Sequence, residues 1–161
     1  MASAEREERS LSWDRFLTGP KRNALEPDEL ILGARWPVTR GPGSFSKIGT
    51  RNAMVIAVAN LCLVLDEVGR SVRVALGSVG PTMIRAREAE AFVASEIAWD
   101  DQGASLAAGT VDRFGDMVAA AARPIDDVRG SAGYRRHACG VMARRALRWA
   151  LDERGSNGGP S

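Results

Sequence analysis

The order of patterns along the chain predicts an α+β fold, with strands first and helices after. Two observations carry that expectation. SFSKIGTR alternates with period two, and the apolar AMVIAVANLCLVLDEVG is followed by a turn and a second β-rich run, SVRVALGSV. Beyond Gly80-Pro81 the spacing becomes helical and stays so.

Residues 1–12 are charged and read as a frayed lead-in, after which Ser12 is placed to cap a short turn, WDRFL. Gly19-Pro20 marks a turn. Pro27, with Asp28 and Glu29 behind it, suits the start of a helical turn. ILGARWPV reads as a short strand with Pro37 at its end. TRGPGS, residues 39–44, is the clearest linker. In the strand after it, Phe45 and Lys47 share one face, and Ser46 and Ile48 the other. The length of AMVIAVANLCLVLDEVG also suits a helix. Two antiparallel strands joined at Glu67-Val68-Gly69-Arg70 explain it better than a helix facing a lone strand. MIRAREAEAFVAS puts Ile84, Ala91 and Phe92 on one stripe, and VDRFGDMVAAAA puts Phe114, Met117 and Val118 inward. Ser131 is a candidate N-cap for a last helix from Ala132 to about Glu153, with Gly155 as its stop and residues 155–161 as a disordered tail. Its expected apolar stripe is Tyr134, Ala138, Val141, Met142, Ala146 and Trp149.

Composition excludes several classes. A hydrophobic fraction of 45% supports a real core. No apolar run reaches the roughly 20 residues of a membrane helix, and the polar N-terminus lacks the apolar stretch of a secretory signal. Two isolated cysteines and one histidine write no cysteine-histidine zinc site. These features make a cytoplasmic chain with reduced thiols the expectation. The 22 basic residues are nearly matched by 20 acidic ones, giving a net charge of +2. A general polyanion-binding role is therefore not expected. Neither GxxxxGK(S/T), nor GxGxxG before a helix, nor GxSxG occurs.

PIDDVRGSAGYRRHACGVMARRAL holds paired aspartates, several arginines and the only histidine. An enzymatic reading pairs Asp127 with His137. A nucleic-acid reading uses Arg135, Arg136, Arg144, Arg145 and Arg148, although no helix-turn-helix pattern precedes them. A structural reading is preferred: Asp126 and Asp127 sit at the positive end of the last helix and pair with Arg129 or Arg135. Lys47 is the one charge in a Gly/Ser-rich strand, with Arg51 four residues on. Both suit ordinary strand-edge charges, or donors facing an anionic or electron-rich ligand.

Four segments in order, FLTGPKRNALEPDELILGARWP, SFSKIGTRNAMVIAVAN, GSVGPTMIRAREAEAF and PIDDVRGSAGYRRHACGVMARRAL, resemble the FAD-binding (medium) subunit of molybdenum hydroxylases, such as xanthine dehydrogenase and carbon monoxide dehydrogenase. The resemblance runs from about Leu11 to Leu151 and covers only the C-terminal part of such a subunit. It implies a three-stranded antiparallel sheet packed with a three-helix bundle, preceded by a partial remnant of the flavin-binding domain. The implied division is 1–38 for that remnant, 39–154 for the C-terminal-like domain and 155–161 for the tail.

By the same resemblance, the chain is a component of an electron-transferring oxidoreductase whose cofactor is FAD. The implied partners are a molybdopterin-binding large subunit and an iron-sulfur small subunit. Two positions that touch FAD in the family map to Ile31 and Lys47, and Arg51 matches an arginine near the flavin. The family's Gly-rich loops for the FAD pyrophosphate have no counterpart in this sequence. The chain alone is therefore expected to be inactive, as an incomplete subunit that is either a truncated product or half of a split flavin subunit with a separate N-terminal flavin half, or as an interaction module that kept the fold and lost FAD. Residues 1 to about 38 are expected to be poorly packed or extended.

Overall fold

The computed structural model describes residues 1–3, 7–52, 54–101 and 103–157. The chain divides into two compact units, Met1–Val38 and Thr39–Ser161.

In the first unit, β1 (Ala2–Ser3) is followed by α1 (Trp13–Phe16), β2 (Leu17–Gly19), β3 (Arg22–Asn23) and β4 (Glu29–Leu30). β1 pairs antiparallel with β4, and β2 with β3. No described residue of this unit is fully buried. The lead-in is nevertheless tethered rather than frayed. Arg9 donates Nε and Nη2 to the Glu29 carboxylate at 2.5 and 2.6 Å, and Met1 and Arg9 exchange backbone hydrogen bonds. α1 forms behind Ser12, but the Ser12 side chain makes no capping bond. The helical turn expected at Pro27 is instead a tight turn into β4. Glu29 N bonds back to the Glu26 carbonyl, and the Glu29 carboxylate accepts from Glu26 N. The strand expected at 31–38 is absent. No described strand offers those residues a partner, and Ile31, Leu32, Trp36 and Val38 stay exposed.

The second unit is a four-stranded antiparallel sheet with three helices on one face. β5 (Gly43–Ile48), β6 (Ala59–Asp66), β7 (Ser71–Gly77) and β8 (Ile84–Arg85) lie in sequence order across it. α2 (Arg87–Glu96), α3 (Thr110–Ala121) and α4 (Ala132–Asn157) follow. The three long strands and three helices match the α+β expectation, with the two-residue β8 added at the far edge.

Strand limits follow from partner length. β5 ends at Ile48, which pairs with Ala59, and Val58 N closes the ladder on the Ile48 carbonyl at 2.7 Å. Residues 54–58, apolar and expected in the long strand, join no strand ladder beyond that closing bond and remain irregular. The expected linker 39–44 already enters β5. Gly41, at φ +144°, passes so close to the Leu65 carbonyl that a side chain there would collide with it. At the β6–β7 turn, Gly69 N bonds to Asp66 Oδ1, while Arg70 takes the left-handed conformation at φ +44°.

The alternation is read out on the sheet. Ala59, Leu61, Leu63 and Leu65 of β6, with Val72, Val74 and Leu76 of β7, point to the helices and are buried. Val93, Phe114, Val118, Ala143 and Leu147 close the core from the other side. α3 and α4 cross at glycines: a Cβ on Gly140 would lie 3.1 Å from the Gly115 carbonyl oxygen.

Two helix faces differ from their expected stripes. α2 buries Ala89, Glu90 and Val93, whereas Ala91 faces out and Ile84 belongs to β8. Glu90 is buried because it has work there: its carboxylate accepts Val74 N at 2.9 Å and pairs with Arg85. α4 buries Arg135, Ala138, Cys139, Met142, Ala143, Ala146, Leu147, Ala150 and Arg154, while Tyr134 and Trp149 are half exposed. The helix also continues through Gly155 to Asn157. Buried Arg154 pins that end, donating to the Ala98 and Trp99 carbonyls at 3.2 and 2.6 Å and stacking on the Trp99 ring. Residues 158–161 of the expected tail lie outside the described residues.

Candidate functional site

Lys47 lies on β5, an edge strand, and faces away from the helices. Register fixes its neighbours. Lys47 is opposite Asn60, which is opposite Gly77; the next row runs Phe45, Cys62, Ala75 and Arg85. Phe45 is 65% exposed, a large ring left open beside the lysine. Lys47 Nζ donates to the Val55 carbonyl at 3.1 Å, which ties the following loop back to the strand. Two further N–H groups of the ammonium remain for another acceptor. The loop reverses at Gly49, where a side chain would collide with Val55. Arg51 is exposed on this loop and has no ion-pair partner among the described residues. A cation beside an open aromatic ring on a flat sheet face suits a planar, electron-rich ligand.

Ile31 belongs to the other unit, directly after β4, and is 55% exposed. Lys47 and Arg51 thus share one unit and one turn of chain, and Ile31 does not. Two concavities of the second unit have volumes of about 450 and 270 Å³, and none of these three residues lines either one.

The Asp-Asp segment is occupied structurally. Asp127 accepts Arg129 N at 2.8 Å, pairs with the Arg129 guanidinium, and pairs with buried Arg135. Those bonds, from the Arg129 backbone and then the two guanidiniums, hold its carboxyl well below the usual carboxylate range. Asp126 Oδ1 accepts Ala132 N, and Ser131 Oγ accepts Tyr134 N, so two of the first-turn donors of α4 are capped. Asp127 is therefore committed to arginines, while His137 is exposed on the helix. The arginines of the nucleic-acid reading do not form one free surface: Arg136, Arg145 and Arg148 are exposed, and the other two are occupied. Arg135 is buried, and Arg144 pairs with Asp112 and Asp116 at 3.2 and 2.5 Å. Burial pushes the Cys139 thiol up to about 11, which makes it a core residue rather than a nucleophile.

Sequence reasoning missed Phe45 as an exposed neighbour of Lys47, although their shared face was legible in the alternation. It also missed buried Glu90, for which the only signal was an arginine five residues before it. Among the described residues no cluster of three or more metal-ligating side chains occurs. Among them, too, no helix is long and apolar enough to cross a membrane.

Comparison with known proteins agrees with this architecture. Residues 44–150 match the CO dehydrogenase flavoprotein C-terminal domain. The carbon monoxide dehydrogenase medium chain of Hydrogenophaga pseudoflava is 28% identical over 149 residues, covering 88% of this chain and 49% of that one. In a solved structure of carbon monoxide dehydrogenase from the same organism, lacking the Mo-pyranopterin moiety, the matching chain superposes with a TM-score of 0.69 at 26% identity, covering 86% of this chain and 47% of that one. Reconstituted CO dehydrogenase from Oligotropha carboxidovorans gives a TM-score of 0.70 at 27% identity, with the same coverage of 86% and 47%. Quinoline 2-oxidoreductase from Pseudomonas putida 86 shares the fold, with a TM-score of 0.74 at 19% identity over 91% of this chain and 50% of that one. The chain spans about half the length of these relatives. It belongs to the CO dehydrogenase flavoprotein C-terminal domain family, the C-terminal part of the FAD-binding subunit of molybdenum hydroxylases.

Proposed function

We propose that this chain supplies the C-terminal side of an FAD site in a molybdenum-hydroxylase-type oxidoreductase and helps assemble its subunits. The observation that carries the reading is Lys47, held by the Val55 carbonyl beside open Phe45 on the helix-free sheet face, within a domain of the flavoprotein family. Lys47 would donate to the flavin and Arg51 would lie near it. Ile31, in the first unit, would pack against the ring system.

The residues fit the flavin in part. A lysine donor and an exposed aromatic ring suit the edge and face of a planar heterocycle. The pyrophosphate needs a convergent set of donors, and neither concavity described above is lined by Lys47 or Arg51. Those donors are assigned to polypeptide outside this sequence, corresponding to the N-terminal half of the family's flavin subunit. When bound, FAD supplies the electron chemistry; this chain's residues orient its ring and shield it from water. A molybdopterin-binding large subunit and an iron-sulfur small subunit complete the proposed assembly, by analogy with the medium chain it resembles.

Co-expression with a polypeptide carrying the Gly-rich loops tests the reading. The two should co-purify with bound FAD, and Lys47→Ala should lower the retained flavin without separating them. Co-purification with no flavin would favour the alternative, an interaction module that has kept the fold and lost FAD.

A further inference from the structure

We propose that the concavity between the start of α2 and the end of α3 binds a small organic phosphate. Arg87 and Arg123 would hold the dianion, and its apolar body would lie against Ile84, Met117 and Ala121. The concavity has a volume of about 450 Å³, within the range of small-molecule sites, about 300–1,000 Å³. It is remote in sequence from Lys47 and Arg51 and shares no lining residue with them.

Three guanidiniums line it, from Arg85, Arg87 and Arg123. Two are fixed in place by the fold. Arg85 is clamped on Glu90 through Nε and Nη2 at 2.7 and 2.5 Å, which neutralises its charge. Arg123 is held by its own backbone N on the Val79 carbonyl at 2.8 Å, and by Nη1 on the Ala120 and Ala122 carbonyls at the end of α3. Among the described residues it makes no ion pair, and its bonds go to neutral carbonyls, so its charge is not cancelled by a bonded carboxylate. Arg87 has no acceptor among the described residues. Against these two cations the lining carries one opposing carboxylate, Glu88.

Two guanidiniums, one of them preorganised, match a doubly charged phosphate better than a single carboxylate. The first-turn N–H groups of α2 add donors on the same side. Its N-cap is Ala86, which has no side-chain acceptor, and the first intrahelical bond is Glu90 N to the Ala86 carbonyl. Ile84, Met117 and Ala121 offer apolar wall, which selects an organic ester over bare phosphate. The site is a single concavity rather than a stripe, so a nucleic-acid backbone is not the ligand it fits.

Inorganic phosphate and phenyl phosphate, titrated into the ¹⁵N-labelled chain at fixed ionic strength, test the proposal. Saturable amide shifts are expected at residues 84–89 and 117–123, with phenyl phosphate binding the tighter of the two. Arg87→Glu and Arg123→Glu should each weaken phenyl phosphate by about tenfold or more, as loss of a charge-assisted pair requires. Arg70→Glu, at an exposed residue paired with Asp100, should leave it unchanged. All three side chains are exposed, so the variants should keep the amide spectrum of the folded chain. Shifts spread over all surface arginines, equal loss in the Arg70 variant, or no saturation would overturn the proposal.

Discussion

Asp127 and Arg135, eight residues apart, lock the loop before α4 onto the sheet. Arg135 is buried at 4% exposure, and its guanidinium donates to the Asp127 carboxylate and to the Ser78 carbonyl at 2.9 Å. Ser78 itself is left-handed at φ +63°, so the lock fixes an uncommon backbone conformation at the end of β7. Arg135→Met removes a buried donor from two acceptors. It should destabilise the chain by about 2–3 kcal/mol, read from urea unfolding. Unchanged stability would show that the loop is held elsewhere.

The Asp127 carboxyl sits well below the usual range because the Arg129 backbone and the guanidiniums of Arg135 and Arg129 favour its charged form. The folded state therefore binds its proton less readily than the unfolded chain does. Its stabilisation is present above the ordinary carboxylate value, near 4, and is lost as pH falls below it. The urea midpoint should decline through that acid range, and Asp127→Asn should start lower and decline less steeply. Parallel curves would contradict the assignment.

Glu90 is a buried carboxylate whose partners are both provided by neighbouring structure, Val74 N and Arg85. Glu90→Ala should cost about 2–4 kcal/mol, because it strands a β7 amide and a half-buried guanidinium. Arg85→Met in the same chain should recover part of the loss, as a double-mutant cycle would show. Strict additivity would mean that the pair is not coupled.

The two sheet faces should respond oppositely. Leu63→Ala, at a wholly buried position on the helix side, should cost about 2–5 kcal/mol. Phe45→Ser, on the open side, should change stability by no more than about 0.5 kcal/mol. A large loss from Phe45→Ser would show that this face is packed in the isolated chain.

The β5–β6–β7 order was legible because alternation and a four-residue turn leave few other pairings. The inward faces of α2 and α4 were harder to read. In α2 alanine falls on the buried and the exposed face alike, and Glu90, Arg135 and Arg154, which hydropathy assigns to the surface, are buried with partners. The 31–38 segment looked like a strand because its side chains are apolar, but sequence does not reveal whether a neighbouring strand exists. At the candidate site, Lys47 stood out as a lone charge, and the Asp127–Arg135 pairing followed from helix-end electrostatics. The exposure of Phe45 and the tie from Lys47 to Val55 depend on the tertiary fold, beyond the reach of pattern.

The most direct measurement is the visible absorption spectrum of the purified chain with FAD, first alone and then with a polypeptide carrying the Gly-rich flavin loops. A shared flavin site predicts an unshifted, free-flavin spectrum alone and a shifted, protein-bound spectrum after the partner is added, with the shift diminished in Lys47→Ala. A bound flavin spectrum from the chain alone, or a partner-dependent shift indifferent to Lys47, would contradict it.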